Sequence, residues 1–403
     1  MLSYMYRKET MQLRPHQEKA LQAMADNDLG QVIVPTGGGK TMCMIYDVLR
    51  EFRENGWKTM VVVAPRILLA EQLGREFMEI IEKEYYVPVM HVHSGKIDGT
   101  FSSTNPLEIQ GFVESCNSRK IIFTTYHSLH RIQESGINVD TIYFDEAHNS
   151  VQRNFFPAVE YFSQYAHRCY YFTATPKHSK TVFKAGMNDR EVYGRVICQI
   201  PAPTLVRAGY ILPPKVEVYR SRILKKDELV ADRDCEQMIS AIDNIRKDKV
   251  LICAKSTKQI VSLVSRTEFV SELAHRGYSW MMITSKTGAM IDGEKVTREE
   301  FFDTLNAWGR DYNKRFVVLH HSILSEGINV NGLEAVLFMR NMDYIGISQT
   351  IGRVIRKGVE DKVFGLVCVP VYSNVGISTA KKVEAVVDTI FNQGKAATTV
   401  ITR

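Results

Sequence analysis

The chain is poor in the features that mark several large protein classes. Its seven cysteines, Cys43, Cys116, Cys169, Cys198, Cys235, Cys253 and Cys368, are scattered and form no C-x-x-C pair. That speaks against zinc and iron–sulfur frameworks and suits buried thiols in a reducing compartment. No run of about 18 apolar residues occurs, so no membrane span is expected. The opening stretch, MLSYMYRKETMQL, lacks the apolar centre of a secretory signal. The expected location is cytoplasmic, with nucleoid-associated and viral or phage-encoded proteins as variants. Neither sign of charge dominates. A formal charge of +6 permits a polyanionic partner without demanding one. Hydrophobic residues at 45% and charged residues at 24% describe an ordinary globular chain. A length of 403 residues exceeds one core, and about two or three domains are expected.

Short apolar runs alternate with helical stretches. The runs lie at 32–34, 60–64, 121–124, 141–144 and 169–173, then at 250–254, 280–284, 316–320, 335–339 and 364–369. They are rich in β-branched and aromatic residues and lack polar alternation, as strands buried on both faces do. Ile45, Val48, Leu49 and Phe52 fall at helical spacing, as do Phe301, Leu305 and Trp308. Such alternation predicts parallel α/β sheets. Between the two sets of runs, the segment from Pro201 to Lys215 holds four of the twelve prolines. Proline donates no ladder hydrogen bond, so this segment predicts a break. The expected domains are a first lobe over 1–200, a linker over 201–220 and a second lobe over 221–403. The segment 285–315 reads as a plain connection around a helix at 298–308, and 378–394 as a C-terminal helix packed through Val383, Val386, Val387, Ile390 and Phe391.

Ligands of parallel sheets bind beyond the carboxyl ends of the strands, and two of those ends carry chemistry here. After the run at 32–34 comes PTGGGKT. It fits the last three positions of a phosphate loop, but Val34 stands where the first glycine usually does. Thr36, Gly37, Gly38 and Gly39 would let backbone N–H groups approach phosphates. Lys40 would reach the β- and γ-phosphates at a helix N-terminus, and the Thr41 hydroxyl would bind magnesium. Three glycines alone also suit a plain strand–turn–helix connection. After the run at 141–144 come Asp145 and Glu146. Two carboxylates ending an apolar strand are costly unless they have work or a cation. Asp145 would hold magnesium through water, and Glu146 would polarise an attacking water.

Together, PTGGGKT and Asp145-Glu146-Ala147-His148 resemble superfamily 2 helicases and translocases, whose phosphate loop commonly opens with Ala or Val followed by Pro-Thr-Gly. The resemblance extends over most of the chain. It implies two RecA-like lobes, parallel sheets flanked by helices, with ATP and magnesium in the cleft between them. Within it, Gln17 of Leu13-Arg14-Pro15-His16-Gln17 would read adenine. Pro65, Arg66, Thr124 and Thr125 match nucleic-acid-contacting motifs. Thr173-Ala174-Thr175-Pro176 matches the motif that couples the lobes, and His148 and Gln349 join that coupling. Gly327 and Asn329, in Ser325-Glu326-Gly327-Ile328-Asn329, match the fifth motif on the nucleotide side. Arg353 and Arg356, in the run from Gln349 to Arg356, match the sixth motif as catalytic arginine fingers, with Lys40 and Glu146 catalytic in the first lobe. The linker wording Gly209-Tyr210-Ile211-Leu212-Pro213-Pro214 resembles the branch of restriction-enzyme translocating subunits and XPB-like DNA helicases. Asn329 departs from the aspartate often found there; it keeps an acceptor and loses the charge.

The residues also read physically. Thr124, Thr125, Thr173, Thr175 and Ser322 are short hydroxyls at strand ends, suited to phosphate oxygens and blind to sequence; singly, each is an ordinary strand end or cap. Gln349, Arg353 and Arg356 share one helix face; two arginines there could equally pair with surface carboxylates. His91 and His93 lack a third metal ligand, and His320-His321 suits a structural role as well as a nucleic-acid contact. The resulting expectation is an ATP-dependent DNA helicase or translocase with nucleic-acid-stimulated ATPase activity. The alternatives are an RNA helicase, a duplex translocase serving a nuclease, and a catalytically silent nucleic-acid-binding module. No motif identifies a nuclease, replication or repair partner.

Overall fold

The computed structural model describes residues 12–95, 99–221, 224–284, 286–321, 332–339, 344–356, 362 and 364–402. The first lobe contains β1 (Leu29–Ile33), β2 (Thr59–Ala64), β3 (Val89–Val92), β4 (Phe101–Ser102), β5 (Lys120–Thr125), β6 (Thr141–Phe144), β7 (Arg168–Thr173), β8 (Lys177–Ser179) and β9 (Arg195–Gln199). All but β8 form one sheet in the order β4-β3-β5-β2-β6-β7-β1-β9. Its pairings are parallel throughout. Every residue of β2, β5, β6 and β7 is buried, as expected for strands covered by helices on both faces. The helix Lys40–Glu54 turns Ile45, Val48, Leu49 and Phe52 into that core.

The second lobe holds β10 (Pro214–Ser221), β11 (Lys249–Cys253), β12 (Ser279–Thr284), β13 (Gly288–Ile291), β14 (Glu294–Val296), β15 (Phe316–His320), β16 (Ala335–Phe338) and β17 (Gly365–Tyr372). Their order is β10-β17-β16-β11-β15-β12-β13-β14. The central strands are parallel. β13 and β14 instead form an antiparallel hairpin on the sheet edge. They arise within 285–315, where the sequence predicts only a connection and a helix. The helix is present as Arg298–Arg310, opened by a Thr297–Glu300 capping box.

The proline-rich segment is divided between the lobes. Ala202 and Leu205, in the helix Ala202–Arg207, are buried, and Leu205 packs against Gly38 of the first lobe. β10 begins at Pro214 and is an edge strand of the second sheet, a place where proline is tolerated. The chain end also crosses back. β18 (Thr399–Ile401) pairs in parallel with β8, so the last residues lie on the first lobe. Between them run the helix Ser373–Val387 and a π-turn over Asp388–Asn392, with Val383, Val386 and Ile390 buried.

Candidate active site

The phosphate-loop sequence lies where β1 leaves the sheet. Val34 stays in register through its N–H on the Thr173 carbonyl at 3.1 Å, and Gly38 N–H then bonds the Pro35 carbonyl at 2.9 Å. Gly37 and Gly39 have φ of +83° and +81°, the left-handed region that side chains disfavour. A β-carbon on Gly39 would also meet Gln17 Nε2 at 2.5 Å. The helix Lys40–Glu54 starts at once, so its N-terminus faces the loop. His16 and Gln17 brace the turn from the opposite side. His16 Nε2 lies 2.7 Å from the Gly38 carbonyl, and Gln17 Nε2 donates to the Gly39 carbonyl at 3.3 Å. Gln17 Oε1 accepts from Arg14 N–H at 2.9 Å. In this arrangement the Gln17 amide holds the loop.

The acidic pair follows β6. Asp145 N–H bonds the Val63 carbonyl at 2.9 Å, and Tyr126 Oη donates to the Asp145 carbonyl at 2.9 Å. Glu146 has φ +46°, a left-handed conformation that costs a non-glycine residue roughly 1–2 kcal/mol. That backbone turns its carboxylate onto Lys40, with Nζ and Oε1 2.8 Å apart. Burial opposes ionisation of both acids. For Asp145 it prevails over the pull of Lys40 and raises the carboxyl pKa, helped by the neighbouring Glu146. For Glu146 the Lys40 ammonium, with His148 nearby, overcomes burial and holds the carboxyl below its ordinary value.

The second lobe reaches this site through the helix Tyr344–Val354. Gln349 Nε2 lies 3.4 Å from His148 Nε2, and His148 Nδ1 lies 3.0 Å from Thr173 Oγ1 and 3.4 Å from Thr175 Oγ1. One tautomer satisfies the set: Nε2 accepts from Gln349, and Nδ1–H donates to Thr173. Thr173 Oγ1 also accepts from Thr175 N–H at 3.0 Å. Gly352 presses against the loop so closely that a β-carbon would lie 2.4 Å from Thr36 Cγ2. Beside it, Arg353 is 2% exposed. Burial and the adjacent Arg356 disfavour its charge, while Glu146 favours it. Arg356 is disfavoured by burial and helped by Glu76 and Glu146.

Lys40, Thr41, Asp145, Glu146, Arg353 and Arg356 line one cleft of about 630 Å³, a volume that suits a nucleotide-sized ligand. Thr36 Oγ1 and Arg356 Nε are buried there without a hydrogen-bond partner among the described residues, leaving donors for phosphate oxygens. The cleft residues that the sequence reading did not assign to the site include Arg14, Glu76 and Tyr210. Arg14 Cζ lies 4.6 Å from the Tyr210 ring centre. Glu76 and the cleft residues Leu69 and Leu73 lie on one face of the helix Ile67–Ile81, a three-and-four spacing legible in the sequence.

Other site residues are placed differently. Pro65 is buried, while Arg66 is exposed at the start of the helix Ile67–Ile81. Thr124 is buried, and its hydroxyl donates to the Val92 carbonyl at 2.8 Å. Here the neighbouring strand takes the hydroxyl. Thr125 is buried as well, its hydroxyl 3.4 Å from Ser128 Oγ. Ser322, Gly327 and Asn329 lie outside the described residues. His320 is buried with Nε2 3.0 Å from Cys253 Sγ. His91 and His93 face each other at 3.2 Å, and no cluster of three potential metal ligands occurs among the described residues. Nor is any described helix long and apolar enough to cross a membrane.

Residues 10–178 match the family model described as "Type III restriction enzyme, res subunit". No curated protein sequence matches the chain. Among solved structures, the ATP-dependent Type ISP restriction-modification enzyme LlaBIII bound to DNA superposes with a TM-score of 0.73 at 20% identity, over 97% of this chain and 31% of that one. A nuclease-deletion mutant of the Type ISP enzyme LlaGI with a DNA substrate mimic gives 0.68 at 21% identity, over 96% and 30%. Mss116p bound to ssRNA and AMP-PNP gives 0.64 at 14% identity, over 96% and 74%. The chain thus spans less than a third of either Type ISP enzyme. The shared two-lobed fold and the match over the first lobe bear out the resemblance read from the sequence, to superfamily 2 helicases related to restriction-enzyme translocating subunits.

Proposed function

We propose that the chain is a nucleic-acid-stimulated ATPase that moves along DNA or unwinds it. The observation that carries this is the meeting of two lobes on one cleft. Lys40, Thr41, Asp145 and Glu146 come from the first lobe and Arg353 and Arg356 from the second. A cleft shared in this way changes when the lobes move, so turnover and movement are linked.

In this reading, Gly37, Gly38 and Gly39 cradle the phosphates, and Lys40 leaves Glu146 to meet the β- and γ-phosphates. Glu146 is then released to polarise the attacking water. Thr41 and Asp145 supply a hydroxyl and a carboxylate, oxygen donors of the hard kind that hold magnesium together with water. Magnesium bound there would neutralise phosphate charge. Arg353 and Arg356 place positive charge where negative charge builds during transfer. Nucleic acid crosses the lobes near Arg66, and the His148–Gln349 contact transmits lobe position to Glu146.

The test measures ATP turnover with single-stranded DNA, duplex DNA, forked DNA and RNA side by side, together with strand separation on the fork. Stimulation by DNA above RNA supports the reading. Preferential stimulation by RNA moves it to an RNA helicase, and no turnover under any condition rejects it.

A further inference from the structure

Two apolar side chains are left almost wholly in water. Val182 and Phe183 are 96% and 97% exposed. They form the tip of a loop that follows β8, within the segment Pro176 to Asn188.

The loop is firmly based. Asn188 Oδ1 accepts from Ser179 N–H at 2.7 Å, and its amide donates to the Ser179 carbonyl at 2.9 Å. Met187, fully buried, donates its N–H to the Lys177 carbonyl at 2.7 Å. Gly186 lies against Ser179 so tightly that a β-carbon would come within 2.3 Å of its nitrogen. On the rising side, Ser179 Oγ donates to the Thr181 carbonyl and accepts from Thr181 N–H, at 3.1 and 3.2 Å. β18 flanks β8, and Thr399 N–H bonds the Pro176 carbonyl at 3.1 Å. A braced base with a bare aromatic tip presents the ring at little ordering cost on binding.

The charge along the loop itself has one sign. From Pro176 to Asn188 the sequence holds Lys177, His178, Lys180 and Lys184 and no carboxylate. Lys180 and Lys184 are exposed on either side of the tip. An apolar ring in water gains by being covered, and the surrounding charge selects a polyanion to cover it. A nucleic-acid strand offers both partners at once, a base to stack on the ring and phosphates for the lysines. β8 also begins directly after Thr173–Pro176, the turn whose threonines contact His148. The loop is therefore rooted beside the threonines that contact His148, the residue that Gln349 meets from the second lobe.

We propose that this loop is a nucleic-acid contact, in which Phe183 stacks on a base and Lys180 and Lys184 hold the flanking phosphates. The proposal rests on the nucleic-acid reading above and adds to it a contact outside the cleft. The test titrates single-stranded DNA, single-stranded RNA and anionic lipid vesicles into the parent chain and into Phe183→Ala, Phe183→Trp and Lys180→Ala/Lys184→Ala variants. Phe183→Ala is expected to weaken strand binding roughly tenfold with the salt slope intact. The lysine pair is expected to lower the salt slope by about two contacts. Phe183→Trp should bind like the parent, with an indole signal, read as the difference from the parent, that changes on adding the strand. Turnover without nucleic acid should be unchanged in all three. If the parent binds a strand while Phe183→Ala binds equally well and the indole signal of Phe183→Trp is unmoved, the loop is no contact and only this proposal falls. An indole signal that responds to vesicles and not to strands overturns it in favour of a membrane. A parent that binds neither DNA nor RNA overturns this proposal and the nucleic-acid reading together.

Discussion

Gln349 and His148, 201 residues apart, meet at 3.4 Å across the two lobes. His148 is also within reach of Thr173, Thr175 and the Glu146 carboxylate. The imidazole therefore links the second lobe to the carboxylate proposed to activate water. His148→Ala or Gln349→Ala should leave nucleotide affinity close to the parent value, because neither residue lines the cleft. Stimulation by nucleic acid should fall about tenfold, the scale of one lost hydrogen bond to a charged or buried group. Titration with nucleotide, paired with turnover with and without a saturating strand, checks this. Equal stimulation in the variants would remove His148 from the coupling.

Gly352 gives a steric test of the same interface. An alanine there would place its methyl 2.4 Å from Thr36 Cγ2 and 2.5 Å from Thr36 Cβ, separations no real contact sustains. The helix must retreat from the phosphate loop and take Arg353 with it. Gly352→Ala should fold normally yet lose most turnover. Adding Thr36→Gly removes both obstructing carbons and should restore part of the loss, a coupling expected only of residues in contact. Circular dichroism and turnover across the double-mutant cycle measure it.

The strands were legible because their residues are buried on both faces, so apolar character runs unbroken, as at 316–320 and 60–64. The edge hairpin of β13 and β14 escaped because Glu294 and Lys295 are exposed on an edge strand. No continuous apolar signal marks such a strand. The phosphate loop and acidic pair were readable because glycines and carboxylates at strand ends have few structural uses. The direction of the Thr124 hydroxyl was not legible, because a hydroxyl at a strand end can turn outward or, as here, to the Val92 carbonyl of the adjacent strand. The union of the two lobes at Gly352 and Thr36 is a long-range packing fact that no local pattern contains.

The buried His91–His93 pair makes stability depend on pH. Burial, together with the adjacent His93, pushes His91 from 6.5 down to about 4, and burial lowers His93 as well. His91 is neutral in the fold, whereas the unfolded chain takes up a proton as pH falls past its ordinary value. The unfolded state then binds more protons, so stability rises with pH across this window. His91 leaves stability intact above about pH 7 and removes it progressively down to pH 4. Between pH 8 and pH 5 its share amounts to about 2 kcal/mol. His91→Leu should flatten that part of the profile in denaturant titrations at the two pH values. An unchanged pH dependence would show that other groups govern acid sensitivity.

Arg353 provides the sharpest test of the two-lobe mechanism. It belongs to the second lobe yet lines the cleft formed around Lys40 and Glu146. A buried guanidinium beside Arg356 is costly, and Glu146 is among the groups that sustain its charge. Such a charge is retained where it has a task, here the stabilisation of charge that develops during phosphoryl transfer. Interactions stronger in the transition state than in the bound ground state raise turnover and leave binding largely alone. Arg353→Ala should therefore bind nucleotide through the first lobe with near-parent affinity and lose roughly three orders of magnitude in turnover. Arg353→Lys should recover little, because an ammonium lacks the planar fork. Lys40→Ala should instead lose both turnover and affinity, since its ammonium is proposed to meet the phosphates in the ground state as well. Measuring affinity and saturated turnover separately distinguishes the two. If Arg353→Ala hydrolyses ATP at the parent rate, the first lobe works alone and the mechanism of paired lobes is wrong.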